Sequence, residues 1–137
     1  MSTNYPELLE SMMPTLPDHR KRAIEFVRVA VKEIESDLAA LRAESLADRI
    51  PAHLRAEIAI RSDELLSSLD CLAEDFADGE EPSDLAADVG LMRALWHFPR
   101  YEELMVRSPS AAARIKGVGA TLKAVLHVIE STQEVDE

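Results

Sequence analysis

The feature that most constrains this chain is an apolar stripe. Ile24, Val27, Val31, Ile34, Leu38 and Leu41 recur at alternating steps of three and four. That rhythm follows one face of an α-helix and not the two-residue alternation of a strand. A helix carrying such a seam has to bury it against another helix. Asp18 is placed to cap this helix, which is predicted to run from about residue 18 to residue 49, where Pro51 forces a break. From Pro51 to about Asp78 a second stripe, Leu54, Ile58, Leu65, Leu69, Leu72 and Phe76, matches the first in length and period. Long helices joined by a short connection pack antiparallel. The predicted fold is therefore all-α: a single-domain helical bundle on a long antiparallel hairpin, about 18–49 and 51–78, with two to three further helices.

Capping signals place the remaining elements. Asn4, Pro6 and Glu7 suit the start of a short helix reaching Met13, which Pro14 and Pro17 end. Gly79 to Ser83 reads as a loop, and a helix beginning near Pro82 should end near Phe98, before Pro99. After a short segment at 101–106, Ser108 and Pro109 read as N-cap and first position of a C-terminal helical region lasting to about Thr132, interrupted at Gly117 and Gly119. Residues 1–3 and 133–137 are expected to be disordered. With 137 residues and 47% apolar content, the chain can bury one core and is read as one domain, 1–137.

Several function classes drop out. No apolar run approaches the ~20 residues of a membrane span, and no basic region followed by an apolar one lies near Met1. The expectation is a cytoplasmic protein without membrane contact. One cysteine, Cys71, cannot form an internal disulfide and is read as a buried structural thiol; the four histidines are too scattered for a zinc site. No nucleophile elbow, P-loop or dinucleotide fingerprint occurs, and no Glu-x-x-His pair of a di-metal bundle. The chain is read as a non-enzyme with no cofactor, no metal and no catalytic residue.

Charge then carries the functional reading. The net charge is −11, which opposes nucleic-acid and anionic-membrane binding overall and favours basic partners. Ten acids and no Lys or Arg lie between Ser62 and Met92. On the helix predicted there, Asp63, Asp70, Glu74 and Asp78 share a face opposite the apolar stripe, with Asp75, Glu80 and Glu81 beside them. Such a row is either a solvated face or a docking surface that steers a basic partner. A second cluster, Arg93, Trp96, His97, Phe98, Arg100 and Tyr101, holds three of the six aromatic residues. It is either an anchor for a partner or a plug in which Trp96 and Phe98 fill the core where Pro99 ends a helix.

Between Leu104 and Ile129 the charge reverses: Arg107, Arg114, Lys116 and Lys123 appear with no acid. Within this stretch Ile115-Lys116-Gly117-Val118-Gly119, followed by Leu122, resembles the helix-hairpin-helix motif of nucleic-acid-binding proteins. The resemblance covers residues 108–126 and implies that Gly117 and Gly119 make a turn whose amides approach a phosphate, with Val118 plugging it and Arg114, Lys116 and Lys123 meeting phosphates. The alternative is one amphipathic helix, because Ile115, Val118, Leu122, Val125 and Ile129 keep helical spacing through the glycines. The leading expectation is a regulatory protein, in the manner of an inhibitor, antitoxin, DNA mimic or adaptor, whose acidic helical face binds a protein with a basic surface. The alternative function is nucleic-acid-backbone binding through the basic segment. Pairing of the Ile24–Leu41 stripe with a second copy, as a homodimer, is a further open expectation.

Overall fold

The computed structural model describes residues 16–46 and 50–136, which form helices and no strand. The elements are α1 (Leu16–Ser45), α2 (Ala52–Leu69), α3 (Leu72–Ala77), α4 (Pro82–Leu95), α5 (Tyr101–Arg107) and α6 (Pro109–Asp136). The helix expected over Asn4 to Met13 lies outside the described residues.

The opening stripe is core. Val27, Val31, Ile34, Leu38 and Leu41 are buried and Ile24 is half-buried against them. Each such side chain contributes about 1.5–3 kcal/mol when fully removed from water. The seam is thus covered within one chain. Arg20 near the start of α1 reaches the Phe76 and Glu80 carbonyls, and Arg42 near its end pairs with Asp63 of α2, so α1 and the α2–α3 arm run antiparallel. The expected hairpin is formed, but the most extensive packing of α1 is with α6. These two are also antiparallel: Ser131 lies 3.4 Å from His19, and Arg114 binds Glu44 and Asp37 at the other end.

The helix starting at Leu16 takes Pro17 into its first turn, so Pro17 opens α1 instead of separating two helices, and Asp18 lies inside the turn it was expected to cap. α1 ends at Ser45, before Arg49. The Ser45 hydroxyl donates to the Arg42 carbonyl and the Leu46 amide to Ala43, which tightens the last turn and closes it.

The second arm departs from expectation more clearly. Instead of one helix from Pro51 to Asp78, the chain bends at Asp70 and Cys71, where Cys71 adopts φ −109°, ψ 0°. No proline or glycine stands there. What the bend does is tertiary: it keeps Leu72 and Phe76 buried against α1, with the Arg20 guanidinium 5.1 Å from the centre of the Phe76 ring. α3 then closes as a Schellman motif, the Glu80 amide donating to Asp75 and the Gly79 amide to Phe76, with Gly79 at φ +100°. Cys71, expected to be buried, is exposed at the bend.

α4 ends at Leu95, three residues before Phe98, because Trp96 leaves the helix at φ −81°, ψ 67° to bury its indole. The segment at 101–106 is the short helix α5. α6 is continuous and longer than expected. Its N-cap is Ser108, whose Oγ accepts the Ala111 amide at 3.3 Å. The helix runs through Gly117 and Gly119 without a turn, and continues past buried Thr132 to Asp136, through residues expected to be disordered. Ile115, Val118, Leu122, Val125 and Ile129 are all buried, so the 3.6-residue period prevails over the two glycines.

Four seams result. α1 packs on α6, α6 on α4, and α1 on α2, while α4 meets α2 and α3 only lightly. No helix among the described residues is long and apolar enough to cross a membrane.

Candidate functional site

The lightly packed seam is where the acidic residues collect. The α2–α3 bend, the Gly79 turn and the first turns of α4 bring Asp70, Glu74, Asp75, Asp78, Glu80, Glu81, Asp84 and Asp88 to one end of the bundle. Among the described residues none of these eight makes an ion pair or a side-chain hydrogen bond. Asp63 is different, since its exposed carboxylate is engaged by Arg42 of α1. The bend at Asp70 and Cys71 also breaks the single straight row expected from Asp63 to Asp78.

Crowded like charges leave an electrostatic signature. Glu80 is held above the usual carboxylate range, first by loss of solvent and then by Asp75, Asp88 and Asp84. The Cys71 thiol is raised by Asp70 foremost, then by loss of solvent, Asp75 and Glu74. Asp75 acts on both groups, which ties the bend to the turn before α4. No group of three His, Cys, Asp or Glu side chains among the described residues could hold a metal ion.

Between the arms lies a groove of about 250 Å³, with Leu72, Leu85 and Met92 as its buried floor. Asp75 and Cys71 stand on the α3 side, Asp88, Leu91 and Leu95 on the α4 side. Leu91 is 59% exposed and Leu95 45% exposed, high values for leucines beside a core. Asp88, Leu91 and Leu95 follow helical spacing, which aligns them along one edge. Sequence reasoning missed Leu91 and Leu95, because a stripe of leucines does not reveal which of them a neighbouring helix leaves uncovered.

The aromatic cluster is committed to the fold. The buried Trp96 indole donates to the Ile115 carbonyl at 2.9 Å, and its ring meets Phe98 edge-to-face with centroids 4.9 Å apart. Tyr101 donates its hydroxyl to the Ala112 carbonyl at 3.0 Å, one turn earlier on α6. Trp96 and Tyr101 therefore clasp α4–α5 to α6. Arg93, His97 and Arg100 remain exposed, Arg100 beside Glu103 at 3.4 Å. The His53 ring hydrogen-bonds Glu103 and, as the first cause, holds that carboxyl below its usual range, tying α5 to the start of α2.

In the basic segment, the turn that the helix-hairpin-helix resemblance implies is not formed: Gly117 and Gly119 are helical, and their amides are not gathered for a phosphate. Arg114 is taken up by Glu44 and Asp37 of α1. Arg107, Lys116 and Lys123 are exposed and make no ion pair among the described residues. Comparisons with protein-family models, with curated proteins and with solved structures find no match to this chain.

Proposed function

We propose that the chain is a non-enzymatic binding protein of regulatory type, whose acidic α2–α4 end docks a protein partner with a basic surface. The supporting observation is the set of eight carboxylates from Asp70 to Asp88, none of which makes an ion pair among the described residues. Repulsion of this kind costs stability, and a basic partner relieves it while steering encounter. The contribution is electrostatic, so it weakens with salt.

The test is affinity capture from the native source at low salt, with wild type beside the triple variant Asp70→Lys, Glu74→Lys, Asp78→Lys. All three positions are exposed, so the fold should survive. The expected outcome is a protein that wild type retains after nuclease treatment, and that both the variant and high salt release. Retention of the same protein by the variant overturns the proposal.

A second reading is favoured by one observation: Arg107, Lys116 and Lys123 are exposed cations without acidic partners among the described residues. They would give weak, sequence-independent binding to a nucleic-acid backbone that falls steeply with salt. The nuclease arm separates the two readings, since capture through nucleic acid disappears with it.

A further inference from the structure

We infer that the groove between α2–α3 and α4 receives an amphipathic helix of the partner, with Lys or Arg beside the Asp75–Asp88 end and an apolar face on Leu91 and Leu95. This deepens the proposed protein-binding function and rests on it.

Three observations point to that occupant. First, α4 meets α2 and α3 only lightly, whereas α1 and α4 each pack extensively on α6. A helix is the shape its walls were built to accept. From Leu85 to Leu95 the α4 edge covers ten residue steps, about 15 Å or three turns, enough to oppose three anchors at i, i+4 and i+7. Second, part of the groove's opening is apolar: Leu91 and Leu95 are half-exposed over a floor of Leu72, Leu85 and Met92, beside the polar Ser68, Cys71, Asp75 and Asp88. Third, the charge on its rim has one sign toward the α3 end, where Asp75 and Asp88 face each other across the opening. At the other end Arg61 is already paired with Glu64 at 3.5 Å. Complementarity therefore demands a partner that is basic at one end and apolar along one face. Charge alone would suit any polycation, whereas the exposed leucines add a requirement for helical patterning.

Isothermal titration of the full chain with three synthetic probes tests this. One is a helical Leu/Lys peptide with leucines at i, i+4 and i+7; the second has the same composition in scrambled order; the third is oligolysine. The patterned peptide is expected to bind at least about tenfold more tightly than the other two at low salt. Leu91→Gln with Leu95→Gln, both at exposed helix positions, should remove about tenfold of that affinity and leave oligolysine binding unchanged. Asp75→Asn with Asp88→Asn should flatten the salt dependence for all three probes. Thermal unfolding of each variant confirms that the bundle is intact.

Equal binding of patterned and scrambled peptides, or indifference of the patterned peptide to the leucine variants, overturns the groove while leaving the acidic docking face standing. Absence of binding by every basic probe overturns both. A dimer in light scattering that the leucine variant dissolves also overturns the proposal, because a second copy would then fill the groove.

Discussion

Cys71 is the side chain that reads the local field most directly. It lies exposed at the bend, and Asp70, then loss of solvent, Asp75 and Glu74 hold its thiol above the usual range. A raised acid stays protonated to higher pH, so at any fixed pH the reactive thiolate is scarcer than for an unperturbed cysteine. The rate of alkylation by neutral iodoacetamide should therefore rise with pH along a profile displaced upward. Asp70→Asn should move that profile down, because it removes the largest cause. Superimposable profiles for the two proteins would show that the acids do not act on this sulfur. The sequence identified these acids by their spacing, yet it placed the cysteine inside. A lone thiol is usually core, but at helical spacing Cys71 falls well off the Leu65/Leu69/Leu72/Phe76 stripe and beside the acidic face, where it is exposed.

Among the elements, α6 separates local from tertiary information. Its two glycines fit both a hairpin turn and a continuous helix, and the sequence alone left the choice open. The decision comes from five buried residues from Ile115 to Ile129, which gain more from one uninterrupted seam than two glycines lose in helix propensity, about 1 kcal/mol each. A Cβ at Gly117 would meet nothing within 4 Å. Gly117→Ala should therefore stabilise the protein by about 0.5–1 kcal/mol, raising Tm by roughly 3 °C in a thermal melt followed by circular dichroism. A fall in Tm would mean that this position needs a conformation alanine resists. α1 was legible because its stripe is unbroken and its partner helices supply matching ones. The break between α2 and α3 was not, since its cause lies in how Leu72 and Phe76 meet α1 and Arg20. The early end of α4 has a similar origin in the hydrogen bond from Trp96 to α6, formed between residues 19 apart.

At the scale of the whole molecule, the packing of α1, α4 and α5 on α6 and of α1 on α2 makes the support, and the lightly packed edge of α4 exposes the chemistry. The segregation of charge was readable from the chain order: ten acids without a base between Ser62 and Met92, and four bases without an acid between Leu104 and Ile129. What the bundle adds is unequal availability. Arg114 is consumed by α1, and the Trp96 and Tyr101 clasps lock α6 to its neighbours, while eight carboxylates at the α3–α4 end stay unpaired among the described residues. The groove could not be read in advance, because it exists only where α4 stands beside α2 and α3. The most direct test of the central claim is an amide chemical-shift map of the 15N-labelled chain titrated with oligolysine at low salt. The account predicts saturable shifts concentrated over residues 70–91, reversed by salt, with the exposed residues of 107–127 unmoved. Shifts spread evenly over the surface, or none that saturate at 70–91, would contradict it.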